Sequence, residues 1–387
     1  MSTPVIRARS VDDLVRAVPH LLGFHPSASL VVGCLSGDPK RVGLVIRVDL
    51  PPPGDERALA RQLARVVAEQ SAGAAFALCF DDGHVGTTSE DRPLPWSRLV
   101  DALERALADR GVELVEADLV GDGRRWSYTC QQECCPPGAL LEPADEGAVG
   151  LLAAEQALSG RSPLPDRAAL SASVRPAAAT GVRSALSRAR LQRARRSYAL
   201  LAAGGRAQLV AHVCSLVGHA AAALGQTREP DPDWAALVLV SLRDVWVRDA
   251  VLTLALDAAG EGSEAAAQPG EDRDGGAGAG AAALPGGGFS RAALVSVLVA
   301  LAQQAPEAEA APVCSLLAGT AYAFGDGALA NVALERALGA EPGYSLAALL
   351  DRMFAAATTP EELRRVLRDV RADLAGALDA VPPTRVG

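Results

Sequence analysis

Residues 29–50, with the sequence SLVVGCLSGDPKRVGLVIRVDL, decide the fold of the first third of the chain. An apolar run over residues 29–35 is followed by the turn-forming residues 37–39 and by a second apolar run over residues 42–50. Two such runs joined by a short turn predict a β-hairpin. In the second run apolar side chains occur at both alternating positions, which predicts a central strand covered on both faces.

Helical and extended patterns alternate after the hairpin. Apolar residues at helical spacing predict two helices, and short apolar runs predict three more strands. The predicted order is β-β-α-β-α-β-β, in which helices connect strands two, three and four. Because helical connections imply parallel strands, we expect an α/β domain with a mixed sheet, a parallel core and antiparallel edges. The predicted helices cover residues 55–70 and 96–110, and the predicted strands cover residues 75–80, 112–120 and 124–130.

The rest of the chain is helical in pattern. Strand signals end near residue 141, so we predict an α/β domain over residues 1–141 and a helical region over residues 142–258. Residues 259–288 consist mainly of Gly, Ala, Glu and Asp, and we predict a disordered linker because they offer too little apolar surface to offset the entropy of ordering. Residues 289–387 form a helical C-terminal region, in which residues 317–342 match one tetratricopeptide-type repeat and predict a packed helix pair.

Three other helical patterns contain distinctive residues. Ser10 and Asp13 form a capping-box pattern before the hairpin, and we expect the helix that they open to end near Pro19. A single long helix is predicted over residues 234–258. The helix around residues 182–196 carries six arginines, which can contact phosphates or face solvent or an acidic partner. The acidic charge of the chain favours the second interpretation.

Composition and charge exclude several classes of protein. The 387 residues carry a formal charge of −9 at pH 7, which argues against a nucleic-acid or anionic-membrane binder. No stretch approaches the roughly 18 consecutive apolar residues that cross a bilayer, and the first residues contain no apolar segment of signal-peptide type. Seven scattered cysteines, an odd number, do not suit a secreted disulfide framework. We therefore expect a cytoplasmic protein with no membrane partner.

Acidic residues lie at the ends of the strands that are predicted to form the parallel core. Asp49 ends strand two, and Asp81 and Asp82 follow strand three. Ligands of open parallel sheets lie beyond the carboxyl ends of the strands, where such carboxylates can hold Mg²⁺ and a phosphate-bearing substrate. His25, just before strand one, can act there as a general base. The alternative is structural, because acidic residues commonly start loops and His25 can hydrogen-bond its own turn. Near the end of strand four lie Asp118 and Asp122.

Residues 126–138, WSYTCQQECCPPG, form the most distinctive motif. Trp126 and Tyr128 lie on the last predicted strand, and we expect Tyr128 and the three cysteines of the motif to cluster near the acidic rim. Thiolates at this spacing can hold Zn²⁺, but a closed zinc site has four ligands, so Cys79 or His84 would have to supply the fourth. A redox role for the vicinal cysteines and simple packing of small thiols are the alternatives. The three cysteines are Cys130, Cys134 and Cys135.

Three segments together resemble one known family. They are residues 22–30 (LGFHPSASL), residues 126–138, and residues 317–350 with their Gly-Asp-Gly turn. They resemble the actinobacterial family catalogued as domain of unknown function 4192. The resemblance implies a bacterial source and supports the domain layout across nearly the whole chain apart from the linker. It implies no particular chemistry.

Two functions from different classes fit these features. The first is a non-enzymatic ligand- or partner-binding or scaffold protein, whose partner is a small molecule or a protein. It is favoured because the sequence shows no complete catalytic constellation and no phosphate-binding glycine loop. The alternative is a metal-assisted small-molecule hydrolase or phosphoryl-transfer enzyme with its site at the strand ends, and the sequence identifies no cofactor. The candidate pocket consists of His25, Asp49, Asp81, Asp82, Trp126 and Tyr128, and the candidate metal ligands are Cys130, Cys134 and Cys135.

Overall fold

The chain forms two compact units, Met1–Ala169 and Leu170–Gly387, which we call the sheet unit and the helical unit. The predicted division into four segments is finer and stays a prediction, and the predicted linker lies outside the described residues apart from Gly260. Within the described part of the chain, no helix is both long enough and apolar enough to cross a membrane. The computed structural model describes residues 10–37, 41–70, 72–85, 93–130, 138–141, 148–158, 162–176, 186–223, 231–258, 260 and 289–379.

A mixed sheet forms the centre of the sheet unit, as the alternation of strands and helices predicts, and it has six strands, one more than the five predicted. The strand order is β2-β1-β3-β4-β5-β6, and β3 and β4 form a parallel pair while the other neighbours are antiparallel. The elements of this unit are α1 Val11–Leu22, β1 Ser29–Ser36, β2 Arg41–Asp49, α2 Glu56–Glu69, β3 Ala74–Phe80, α3 Asp82–Val85, α4 Ser97–Ala108, β4 Glu113–Gly121, β5 Arg124–Ser127, β6 Ala139–Leu140 and α5 Ala148–Leu158.

The order of the first three strands differs from the prediction. Strand two is not part of the predicted parallel core, because β1 lies between β2 and β3 and pairs antiparallel with both. Ser29 faces Asp49 on one side and Phe80 on the other. The expectation that strand two is central is wrong as well, since β2 is an edge strand with only partly buried side chains. β2 and β3 still run in the same direction, so their carboxyl ends lie at one rim of the sheet.

The edge position of β2 has a measurable consequence. Ile46 is partly buried against the core, whereas Leu30 on β1 is fully buried. We expect Ile46→Ala to lower the free energy of unfolding by about 1–2 kcal/mol and Leu30→Ala to lower it by about 2–5 kcal/mol. Urea denaturation of both variants measures the difference. Equal losses would contradict the edge position of β2.

Helices cover both faces of the sheet. α2 and α4 pack on one face, over Cys79 of β3 and Trp126 of β5. Since side chains alternate along a strand, Arg125 points to the opposite face, where it binds Asp12 of α1. On this second face the ring of Phe76 lies directly over Gly33, at a place where any Cβ would overlap it.

The first helix continues through its proline. The side chain of Ser10 accepts from the backbone N–H of Asp13 at 3.2 Å, which confirms the predicted cap. The expected end near Pro19 is wrong: α1 continues to Leu22 and ends at Gly23, which adopts the left-handed conformation with φ 73°. Proline has a helical φ, but it removes one hydrogen bond to the preceding turn and its ring crowds the carbonyl four residues earlier. Burial of the apolar face of α1 offsets this cost.

Ten helices are described from residue 167 onward. α12 is buried along nearly its whole length and packs against α13 across a short turn, while the tetratricopeptide assignment of this pair stays a prediction. The single helix predicted over residues 234–258 is wrong, because two helices occur there and Asp244 between them accepts from the backbone N–H of Trp246 at 2.9 Å. The helices are α6 Arg167–Ser173, α7 Arg188–Ala203, α8 Arg206–Ala223, α9 Pro232–Ser241, α10 Val245–Ala258, α11 Arg291–Gln304, α12 Glu307–Ala323, α13 Gly327–Ala340, α14 Ser345–Ala355 and α15 Pro360–Asp379.

Candidate functional site

The predicted acidic residues lie along one rim of the sheet. Asp49 is at the end of β2, and its carboxylate is 82% exposed and forms an ion pair with Arg47 at 2.7 Å. Asp81 directly follows β3. Two strand spacings, or about 10 Å, separate β2 from β3 because β1 lies between them. The rim therefore contains the predicted residues but spreads them out.

The side chain of Asp81 connects two elements at this rim. Its side chain is buried, Oδ2 accepts from the indole Nε1 of Trp96 at 2.6 Å, and Oδ1 accepts from the backbone N–H of Gly83 at 3.1 Å. Its own backbone N–H donates to the carbonyl of Val120 on β4 at 3.0 Å. The carboxylate thus joins the end of β3 to the residue that precedes α4.

The remaining rim residues make separate contacts. Asp82 is exposed, and its carboxylate accepts from the backbone N–H of Asp122 in the β4–β5 turn at 3.0 Å. His25 is exposed too, and its backbone N–H donates to the carbonyl of Leu164 at 2.9 Å. In the described part of the chain, no hydrogen bond or ion pair joins His25, Asp49 and Asp82 to one another.

Tyr128 is partly buried beside the rim. Its hydroxyl donates to the carbonyl of Pro95 at 2.6 Å, and the fully buried thiol of Cys79 lies close enough to influence its pKa. Burial raises the pKa of Cys79 to about 12 and raises the pKa of Tyr128 as well. Both groups are therefore neutral at pH 7, and Cys79 is not a thiolate. Trp126 is buried on the same face and packs against Gly138.

The cysteine motif is described only in part. Strand β5 ends at Ser127, whose hydroxyl accepts from the backbone N–H of Cys130 at 3.0 Å. Cys134, Cys135 and the side chain of His84 lie outside the described residues, so the zinc, redox and packing hypotheses stay predictions. Where side chains are described, no group of three or more His, Cys, Asp or Glu residues is arranged to hold a metal ion.

Asp118, named from the sequence only as one of the acidic residues near the end of strand four, is a buried carboxylate on the second face of the sheet. Asp118 lies on β4 with no exposed side-chain surface. Its Oδ1 accepts from Nη1 of Arg125 at 3.4 Å, and its Oδ2 has no hydrogen-bond partner among the described residues. Burial raises the pKa of Asp118 to about 6, although the charge of Arg125 opposes this. Arg125 also donates from Nε to Asp12 of α1 at 2.6 Å, so it links the carboxylate to the helix above.

The helical unit contains a cleft of about 490 Å³ between α7, the α9–α10 junction and the start of α12. Sequence reasoning had no signal for this site except the arginine-rich pattern of α7. Both an aromatic hydroxyl and charged groups of each sign reach the cleft. Its polar lining consists of Arg195, Tyr198, Arg243, Asp244 and Glu309.

Glu309 organises the charges of the cleft. Its side chain is only 4% exposed, Oε1 accepts from Nη2 of Arg195 at 2.7 Å, and Oε2 accepts from Nε of Arg243 at 3.3 Å. It lies in the first turn of α12, where the helix dipole stabilises a negative charge. One buried carboxylate therefore holds two arginines in fixed positions.

The two arginines differ in how many of their donors are used. Arg243 binds Glu309, Glu341 and the carbonyl of Ala308, so each of its guanidinium nitrogens has a partner. Among the residues that the structure describes, Arg195 binds Glu309 alone, and its side chain is 57% exposed. Across the cleft, the hydroxyl of Tyr198 donates to Oδ2 of Asp244 at 3.0 Å. The arrangement can accept an oxyanion on Arg195.

Comparison with known proteins identifies the family. Neither the curated proteins nor the solved structures gave a match. The family model described as a domain of unknown function, number 4192, matches residues 12–361. This range includes the sheet, the rim and the cleft. The chain therefore belongs to the domain of unknown function 4192 family.

Proposed function

We propose that the protein is a non-enzymatic binding protein, and that its helical unit recognises an acidic group in the cleft beside α7. The observation that carries this proposal is the buried Glu309, which presents Arg195 to the cleft. A guanidinium held in place by a buried carboxylate loses less side-chain entropy when it binds an anion than a freely rotating one does. Such preorganisation is typical of a recognition site.

The rim of the sheet supports the alternative enzymatic function less well. Asp81 uses both carboxylate oxygens to hold Trp96 and Gly83. Cys79 is buried, Tyr128 is partly buried and both are neutral, which suits packing better than proton transfer at pH 7. These contacts explain the most distinctive rim residues by their structural roles.

The test uses the full chain and three acidic probes, namely phenylacetate, inorganic phosphate and a hexaglutamate peptide. We expect at least one of them to raise the midpoint of thermal unfolding, because a ligand that binds only the folded state stabilises it. Arg195→Gln should remove this rise. Arg188→Gln is the matched control, since Arg188 is an exposed arginine of the same helix.

Two outcomes would contradict the proposed function. In the first, none of the three probes changes the midpoint of the wild-type protein. In the second, a probe raises the midpoint equally in the wild type and in Arg195→Gln, which would place its site elsewhere on the chain.

A further inference from the structure

We infer that the occupant of the cleft is a small organic monocarboxylate with an apolar or aromatic body, bound through the free edge of Arg195. This inference rests on the proposed function and specifies its ligand. Three features of the cleft carry it: the unused donors of Arg195, the balance of charges around the cleft, and the size and lining of the cavity.

The donors of Arg195 leave one complete edge free. A guanidinium has five N–H groups, and Nη2 has two of them. Each of these two belongs to a different edge, one shared with Nε and the other shared with Nη1. Glu309 accepts from Nη2 alone, and no other described residue accepts from Arg195. Whichever hydrogen the glutamate takes, a pair of parallel N–H groups remains, and this pair matches the two oxygens of a carboxylate.

The charges around the cleft favour a single negative charge on the ligand. The carboxylates of Glu309, Asp244 and Glu341 lie at or beside it. Three arginines carry the opposite charge, namely Arg195, Arg243 and Arg206. Arg206 begins the next helix, and its charge opposes the rise in the pKa of Tyr198. Because these charges balance, the attraction for an anion comes from the exposed edge of Arg195, which pairs with one negative charge, and the second charge of a dianion such as phosphate adds repulsion from Glu309 and Asp244. A monocarboxylate needs only the one exposed guanidinium edge.

The cavity suits a small molecule. Its volume of about 490 Å³ falls within the range of about 300–1,000 Å³ that is usual for ligand pockets. Val240 and Ala308 supply apolar lining, and Tyr198 adds an aromatic ring beside the arginine. Two apolar side chains and an aromatic ring beside one exposed guanidinium edge suit a small organic acid, although most of the lining is polar.

The experiment measures the affinity of the full chain for three matched probes by calorimetry. The probes are phenylacetate, its neutral amide phenylacetamide, and the dianion phenyl phosphate. We expect phenylacetate to bind at least about tenfold more tightly than either of the others, because only it pairs one negative charge with the guanidinium edge. Circular dichroism confirms that each variant keeps its helical content.

Substitutions at Arg195 separate edge recognition from charge alone. Arg195→Lys keeps the positive charge but cannot offer two parallel N–H groups, so we expect it to weaken phenylacetate binding by about tenfold. Arg195→Gln should weaken it at least as much, and Arg188→Gln should leave it unchanged. Equal affinity in the wild type and in Arg195→Lys would overturn the bidentate contact.

The outcomes also distinguish this inference from the proposed function. If phenyl phosphate or the hexaglutamate peptide binds more tightly than phenylacetate, and Arg195→Gln abolishes that binding, the monocarboxylate inference is overturned while the proposed function stands. If no acidic probe binds in an Arg195-dependent way, both are overturned.

Discussion

Replacing Arg336 by methionine is expected to lower the free energy of unfolding of the helical unit by about 3–5 kcal/mol. Arg336 on α13 is 1% exposed, and it donates to the backbone carbonyls of Val174, Ala302 and Ala305. Methionine fills a similar space but donates nothing, so the carbonyls of Val174 and Ala305 would lose the donor that Arg336 supplies, and the carbonyl of Ala302 would keep only the backbone N–H of Ala305. Each buried group that is left unsatisfied costs about 1–3 kcal/mol.

The partners of Arg336 explain how a buried cation is stabilised here. Within the described residues, its charge is met by backbone oxygens rather than by a carboxylate. Ala302 and Ala305 lie at the C-terminal end of α11, where the free carbonyls carry the negative end of the helix dipole. Arg336 of α13 therefore caps the C-terminal end of α11.

Urea denaturation followed by circular dichroism measures this effect. Arg352→Met is the matched control, because Arg352 is an exposed arginine on α14, and it should change stability by less than about 0.5 kcal/mol. Arg336→Lys retains the charge with fewer donors and should fall between the wild type and Arg336→Met. A loss below about 1 kcal/mol in Arg336→Met would show that the three carbonyls find other donors.

Arg125→Met is expected to lower the stability of the sheet unit by about 3–5 kcal/mol at pH 7, with a smaller loss near pH 5. The substitution leaves the buried carboxylate of Asp118 without the cation that faces it, and it removes the ion pair between Arg125 and Asp12 on α1. Glu116, a second carboxylate on β4 whose pKa burial raises, adds to the repulsion. Protonation of Asp118 relieves most of this penalty, so the loss shrinks as the pH falls.

The free energy of unfolding of the wild-type protein should also depend on pH through Asp118. Burial raises the pKa of Asp118 from its ordinary value of 3.8 to about 6, so between these values the folded state binds more protons than the unfolded state. Stability from this group is therefore present at low pH and falls as the pH rises through about 6. A shift of about two units corresponds to about 3 kcal/mol. Asp118→Asn should remove this fall.

Denaturation at pH 4.5, 5.5 and 7 tests both statements about this site. Asp101→Asn serves as the control, because Asp101 is an exposed carboxylate on α4 of the same unit. The double variant Arg125→Met with Asp118→Asn should recover part of the stability lost in Arg125→Met. An identical pH slope in the wild type and in Asp118→Asn would show that Asp118 does not titrate in this window.

Much of the secondary structure was predictable because it depends on local spacing. The bounds of β1, β3, α2 and α4 match the predicted runs within one or two residues, since apolar periodicity and turn residues define them. Strand order was less predictable, because it depends on pairing between segments that are far apart in the sequence. A usable signal was present, however: β1 contains no charged residue, whereas β2 contains Arg41, Arg47 and Asp49, which suits an edge.

The candidate sites show a similar division. The rim residues could be placed because they follow strands directly. The burial of Asp118 depends on the register of β4 against β5 and on the position of α1 above them, and no single segment encodes it. The contact between Arg195 and Glu309 joins residues 114 positions apart, so it follows only from the packing of α7 near α12.

The position of β1 between β2 and β3 also has a consequence for synthesis of the chain. The hairpin of β1 and β2 can form as soon as both strands have left the ribosome, because its pairing is local. The other edge of β1 stays unpaired until α2 and β3 have followed, and loop closure of this length slows the pairing. During that interval an apolar strand edge is open to another nascent chain. Conditions that slow translation between β2 and β3 should therefore promote aggregation of the newly made protein.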